Sequence, residues 1–252
     1  MMEGLALKIK RGDSAPFRFL RSVARTFLHN SMPVPQALKP AARLAFQAHF
    51  GIIFAARWAL NFFYRSPIFQ ARCASVGKNL HMWLLPEVRG PVEIHLGDNV
   101  NIFGYALIES TWLCGERPKL VVGNRVDLGH NLLFVVNRSV VIDDDVRVAS
   151  SVGFLDTDDF SNDPVARQNN QPPSPDDAKP IHICRNAWIG QGAFIMKGVT
   201  VGEGAIIGVN SVVTSDIPAY SVAMGNPARV VVKNINRQAA EPSPRVGENV
   251  PV

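Results

Sequence analysis

The sequence predicts an all-β fold, a parallel β-helix preceded by an N-terminal helical segment, and three observations carry that prediction. From Ile183 to Pro218 the chain reads in unbroken sixes: ICRNAW, IGQGAF, IMKGVT, VGEGAI, IGVNSV, VTSDIP. The same register can be followed upstream in three further blocks. The basic charge, finally, is confined to a segment that lacks the repeat altogether.

Position one of each six is Ile or Val, and position five is small or apolar: Ala187, Ala193, Val199, Ala205, Ser211 and Ile217. A helix repeats its apolar residues every three or four positions and a flat strand every two, so a period of six fits neither. It fits a chain that runs a short strand, turns a corner and starts another, placing one branched side chain per face in a narrow core. Upstream, position one falls on Leu96, Ile102 and Ile108, on Val122, Leu128 and Phe134, and on Ile142, Val148 and Phe154. Each block supplies one triangular coil. Gly97, Gly123, Gly129, Gly190, Gly202 and Gly208 at position two, with Asp98, Asn99, Asn131, Asn186 and Asn210 nearby, are expected to supply corners with positive φ. Position five fails at Trp112, Arg138 and Asp158, so the chain should leave the prism on one side, most extensively over 155–182.

The predicted organisation is a basic, amphipathic helical segment over 1–72, a β-helix over 73–236 with the excursion loop 155–182, and a disordered tail over 237–252. Residues 1–72 hold 11 Lys and Arg against two acids, a balance of +9, whereas the remainder holds 15 against 19, a balance of −4. With no aromatic-basic groove and the excess charge outside the repeat, nucleic acid is not expected as a partner. Over 41–65 at 100° per residue, Arg43, Gln47, Arg57, Asn61 and Arg65 fall within about an 80° stripe, and Phe46, Phe50, Phe54, Trp58, Phe62 and Phe63 cover much of the rest. With Arg57 inside, a spanning helix is disfavoured. Two readings stand: a helix lying in a membrane surface, or a helix packed on the β-helix or a neighbouring subunit. Cys73, Cys114 and Cys184 are odd in number and share no metal or redox spacing, so neither a disulfide framework nor a metal is expected. Without a signal peptide at its start, the chain is expected in the cytoplasm, with peripheral attachment to the inner face of the cell membrane as one option.

The stretch PIHICRNAWIGQGAFIMKGVTVGEGAIIGVNSVVTSDIPAYSVAMGNPARVV resembles the C-terminal half of the hexapeptide-repeat acyltransferases, the group of galactoside, maltose, nodulation-factor and polysaccharide O-acetyltransferases. N-x-W-I-G, KGVTVG in place of the family's P-G-V-T-I-G, and G-N-P-A-R-V carry the likeness, which covers roughly 66–236. The resemblance implies a left-handed β-helix, a homotrimer, and acetyl-CoA held in each groove between subunits. It implies that Trp188 and Gly190 line the pantetheine tunnel and that Gly208 and Val209 bond the pantetheine amides. Thr214 then stands near the nucleotide end, and Arg229 meets the CoA phosphates. Corner packing, coil geometry and a solvated cation are the structural alternatives for these positions.

The acceptor side departs from the family, whose base is a histidine on the excursion loop in T-x-H-P or D-x-D-x-H-P. This chain reads FLDTDDFSNDP over 154–164, placing Asp159 or Phe160 there, and no histidine lies between His130 and His182. Asp156, Asp158 and Asp159 are the candidate bases, with His130 as a possible helper or as a corner residue bonded to backbone. Unperturbed Asp lies about 2.6 pKa units below His, making it the weaker base by roughly 3.5 kcal/mol, of which a Brønsted fraction reaches the rate. The resulting expectation is an O-acetyltransferase acting on a sugar or a polysaccharide or lipid-linked glycan. A trimeric acyl-CoA-binding scaffold associated with polysaccharide synthesis is the alternative. The zinc-dependent carbonic anhydrases of the same fold need three converging histidines, and His81, His95, His130 and His182 show no such arrangement.

Overall fold

The computed structural model describes residues 34–110, 116–158, 160–171 and 173–235, with isolated positions between 15 and 22. The predicted tail 237–252 and Trp112, Cys114 and Asp159 lie outside the described residues. The chain divides into two compact units, Met1–Ala55 and Ala56–Val252.

In the second unit, short strands numbered in chain order stack into three sheets. Sheet A runs β1 (Ser75–Val76), β4 (Glu93–Leu96), β7 (Lys119–Val122), β10 (Ser139–Ile142), β13 (Ile181–Ile183), β16 (Thr200–Val201). Sheet B runs β2 (His81–Met82), β5 (Asn101–Ile102), β8 (Asp127–Leu128), β11 (Arg147–Val148), β14 (Trp188–Ile189), β17 (Ile206–Ile207), β19 (Val222–Gly225), β20 (Ala228–Val232). Sheet C runs β3 (Glu87–Arg89), β6 (Ala106–Glu109), β9 (Leu132–Val135), β12 (Gly153–Leu155), β15 (Phe194–Met196), β18 (Val212–Val213). The chain visits A, B and C in turn, so each coil adds one parallel rung to each sheet; only the closing β19–β20 pair is antiparallel.

The register of sixes is the register of the core. Ile183, Ile189, Ile195, Val201, Ile207 and Val213 at position one are all at most 1% exposed, and all six position-five residues are buried. Upstream, Phe134 stacks on Phe154 at 5.0 Å between centroids, continuing one column of the same core. Position-two glycines serve a different purpose from the one expected. None of the six has φ in the left-handed region, which is occupied instead by Asn99, Asn131, Asn186 and Asn210, with φ of 55–59°. The glycines are required by closeness between coils: a Cβ on Gly190 would meet the Ile207 carbonyl oxygen at 2.5 Å. Asp98 also keeps ordinary φ and instead accepts from the Lys78 N–H at 2.6 Å.

Helix α1 (Lys39–Leu60) has no buried residue. Phe46, Phe50, Phe54 and Trp58 are 54–72% exposed, and Phe46 and Phe50 lie 4.7 Å apart between centroids. Among the described residues no helix is long and apolar enough to cross a membrane. A π-helical stretch (Asn61–Arg65) leads into α2 (Ser66–Arg72), whose Pro67 sits in the first turn, where its missing N–H costs nothing. This end of the predicted 1–72 segment is stitched to the first coil. Asn61 donates to the Met82 carbonyl, Arg65 to that of Trp83 (2.7 Å) and Arg72 to those of Val92 and Gly90 (3.0 and 2.9 Å), while Phe69 enters the core.

Candidate functional site

Each coil has three corners, and corners of successive coils align into three edges. The B-to-C edge carries, two residues after β5, β8, β11, β14 and β17, Gly104, His130, Ser150, Gln191 and Val209 in succession. Backbone bonds tie these rungs: Ser151 N–H to the His130 carbonyl (2.7 Å), Gly192 N–H to that of Ser150 (3.0 Å) and Asn210 N–H to that of Gln191 (2.8 Å).

The expected donor residues gather along this edge. Trp188 on β14 stands on the outer face of sheet B, 53% exposed, and Gly190 follows at the corner. One rung on, the Gly208 N–H is committed to the Ala223 carbonyl (2.8 Å), whereas the Val209 N–H has no partner among the described residues. Val209 is 65% exposed. Arg229 on β20 pairs with Met224 across the closing hairpin; its guanidinium donates only to the Ala228 carbonyl (2.9 Å) and meets no carboxylate among the described residues. Thr214 follows β18 and is exposed. It lies at the end of sheet C and off this edge.

His130 occupies the donor edge. Its ring packs edge-on against Trp83 at 6.2 Å between centroids, and Nδ1 lies where a Cβ on Gly104 would be 2.4 Å away, so Gly104 makes room for the imidazole. The expected alternative, a corner histidine whose ring bonds backbone, is not what the structure places there. Its backbone N–H takes the Ser150 hydroxyl (3.2 Å), and its ring nitrogens bond nothing among the described residues. Trp83 and Gly104 went unnoticed in the sequence because they belong to other coils.

The acids lie on a different edge, from sheet C to sheet A, where the chain leaves the prism after β12 and returns at β13. Asp156 is fully buried, and its two carboxylate oxygens accept from the N–H groups of Asn137 (2.8 Å) and Arg138 (2.7 Å) on the preceding coil. This carboxylate faces backbone, which gives it the geometry of a clamp at the root of the loop. Asp158 is bound at 2.5 Å by Lys197, the residue that replaces proline in KGVTVG; that substitution was the sequence signal for the pair. Phe160 is 69% exposed. The loop itself contains α3 (Pro164–Gln168), capped by Asp163, and a single 3-10 turn (Pro175–Asp177) closed by a Ser174 capping box. On the same edge a cavity of about 360 Å³ is lined by Arg117, Lys119, Asn137, Arg138, Ser139 and Asp176, among others. His130, Gly190 and Val209 therefore share the B-to-C edge beside Trp188, with His130 two rungs before Gly190, whereas Asp156 and Asp158 follow sheet C on the next edge.

Comparison with known proteins adds the following. The bacterial transferase hexapeptide family (six repeats) matches residues 180–215. A protein of Staphylococcus aureus (strain COL), provisionally named an acetyltransferase, is 52% identical over 64 residues, 25% of this chain and 32% of its own length. A Saccharomyces cerevisiae protein named in the same provisional way is 34% identical over 127 residues, 50% of this chain and 62% of its own length. The chain thus spans about a third of the first curated relatives it matches. Among solved structures, the N-acyltransferase AntD from Bacillus cereus, in complex with dTDP and 3-hydroxybutyryl-CoA, aligns with a TM-score of 0.56 at 18% identity, covering 70% of this chain and 92% of that one. Its likeness is one of fold. The run of sixes, the three stacked parallel sheets and these matches give the chain a hexapeptide-repeat fold, similar over residues 180–215 to the bacterial transferase hexapeptide family and in architecture to AntD.

Proposed function

We propose that the protein transfers an acetyl group from acetyl-CoA to a hydroxyl of a sugar or of a polysaccharide or lipid-linked glycan. The observation that carries this reading is the placing of Trp188, Gly190, Val209 and Arg229 along sheet B and its edge, with a Val209 N–H without a partner and an Arg229 guanidinium without a carboxylate among the described residues. An extended pantetheine arm needs such an edge: an aromatic wall, a residue without a side chain, an amide donor and a cation for phosphate. The named relatives and the acyl-CoA complex of AntD support the same donor chemistry.

If the phosphates sit at Arg229, the arm runs towards lower-numbered coils, past Val209 and Gly190 and on towards Ser150 and His130. Rungs lie about 4.8 Å apart, so the His130 rung is about 10 Å from that of Gly190. In this arrangement the acceptor hydroxyl attacks the thioester carbonyl, its proton passes to a base, and CoA leaves as a thiol after taking up a proton. His130, with both ring nitrogens unbonded, is the group on the donor edge able to accept that proton, and Asp159 remains the candidate from the loop. Asp156 and Asp158 are less available, being held by backbone and by Lys197. The loop edge and the donor edge are separate on one chain, which supports a homotrimer of left-handed β-helices, as the resemblance implies, in which a neighbour's loop completes each groove.

The exposed aromatic face of α1, with Arg43 and Arg57 on the same helix, supports peripheral attachment to an anionic cytoplasmic membrane surface. One observation favours the scaffold alternative: Asp156 and Asp158, the described candidate bases of the loop, are both engaged. Incubating the purified chain with acetyl-CoA and candidate glycans, and following free CoA with a thiol reagent, decides between the two. Release of CoA that is lost in either His130→Ala or Asp159→Asn identifies the base; tight CoA binding with no release for any acceptor overturns the transferase reading. Sedimentation as a monomer that still binds CoA would overturn the shared groove.

A further inference from the structure

The A-to-B edge carries one position, immediately after each sheet-A strand, that is glycine at four rungs and something else at two adjacent ones: Gly77, Gly97, Gly123, Asp143, Cys184, Gly202. Glycine is demanded by crowding, since a Cβ on Gly97 would lie 2.7 Å from the backbone of Gly123. Two side chains with ligand atoms therefore stand in neighbouring rungs of a column that otherwise excludes side chains. His182, on β13 and facing outward one residue before Ile183, completes the group. The three ligand atoms lie within 4.8 Å of one another, and His182 Nε2 is already 3.0 Å from Asp143 Oδ2. Ile142 and Ile183, paired in register and fully buried, fix the backbones that carry all three.

We infer that Asp143, His182 and Cys184 form a site for a divalent transition metal of the zinc type, which clasps the returning end of the excursion loop to the coil before it. One carboxylate oxygen, one imidazole nitrogen and one thiolate form a donor set that suits such an ion better than magnesium or calcium. Bond lengths of about 2.3 Å to sulfur and about 2.0–2.2 Å to nitrogen and oxygen require ligand atoms roughly 3.3–3.6 Å apart. Half-exposed side chains reach that by rotations that draw them in by about an ångström. Binding displaces the thiol proton to solvent, takes the Nε2 lone pair of neutral His182 with its N–H on Nδ1, and leaves a fourth position for water. The surroundings suit a cation: the carboxylate of Asp143 belongs to the cluster, and Glu203 lies on the next coil. Arg185, paired with Glu203 at 3.7 Å, is the opposing charge nearby. The site rests on the coil geometry and stands apart from the transferase reading.

Cobalt is the probe, titrated into the chelator-treated full chain. The expected result is one Co²⁺ per chain with a near-ultraviolet thiolate-to-cobalt band, displaced by zinc. Cys184→Gly and Asp143→Gly restore the residue found at the other rungs. The first should abolish the band, and the second should weaken cobalt binding at least about tenfold while keeping it. His182→Gln, an exposed change, should weaken binding similarly, so the test survives if a glycine variant fails to fold by circular dichroism. Absence of the band in the parent chain, its persistence in folded Cys184→Gly, or unchanged affinity in both folded Asp143→Gly and His182→Gln would overturn the site.

Discussion

Replacing Asp156 separates a structural carboxylate from a catalytic one. It is fully buried, and its oxygens accept from the N–H groups of Asn137, itself fully buried, and of Arg138, whose surroundings are partly open. In Asp156→Ala both donors lose their acceptor. An orphaned buried N–H costs about 1–3 kcal/mol, and the less enclosed Arg138 amide adds at most about 1 kcal/mol, so the variant should lose about 1–4 kcal/mol. Asp156→Asn keeps one carbonyl oxygen but turns an NH₂ towards the other N–H, and should lose about half as much. Urea melts of parent and variants at one protein concentration measure this, the midpoints shifting with unchanged slope. CoA release by the folded Asn variant should stay near that of the parent. A stability loss below about 0.5 kcal/mol for the Ala variant, or a folded Asn variant without turnover, would refute the clamp and restore Asp156 as a candidate base.

Trp188→Ala and Arg229→Ala should each weaken CoA binding, the arginine by about 1.5–3 kcal/mol for a lost charged contact, with sedimentation unchanged; isothermal titration measures both. Deleting 1–55 stops short of the Asn61 and Arg65 bonds to the first coil, so the remainder should fold yet no longer float with anionic liposomes. Attachment of the intact protein should weaken at high salt. Asp144 is held below its ordinary value by the Asn124 backbone N–H and then by the Asn124 side chain, so its contribution is present above the unfolded value of about 3.9 and lost as pH falls through the folded one. The difference in melting temperature between the parent and Asp144→Asn should therefore be largest near neutrality and shrink in acid.

The repeat was legible because one physical demand, an apolar side chain pointing inward every six residues, applies to each strand independently of its neighbours. Ile183 through Val213 and the upstream Leu96 to Phe154 are buried where the period placed them. What the period could not give was contact between coils. Gly190 signalled a corner in the sequence, yet its reason, the Ile207 carbonyl 2.5 Å from a would-be Cβ, lies 17 residues away. Asp156 reads as a member of an acid cluster until the preceding coil supplies two N–H donors. Cysteine spacing gave no metal pattern, because Asp143 and His182 are 39 residues apart and meet only as neighbouring rungs. The helix in the loop at Pro164–Gln168 was missed, although Asp163-Pro164 is a cap followed by a first-turn proline.

A coil of this kind converts sequence distance into position along an edge, and the chemistry divides accordingly. Residues two beyond a sheet-B strand share the donor edge whatever their separation, which is why His130 and Gln191 are two rungs apart in space and 61 residues apart in sequence. Residues that follow a sheet-C strand share the loop edge, where Lys197, Asp158 and Arg138 belong to three successive coils. No rearrangement of side chains moves a residue from one edge to another, because the buried column between them, Phe134, Phe154 and Ile195, is common to every coil. In the proposed homotrimer, a reaction that needs both the donor edge and the loop draws them from different copies of the chain. One that needs the donor edge alone can be served by His130, and the comparison of His130→Ala with Asp159→Asn distinguishes these two designs.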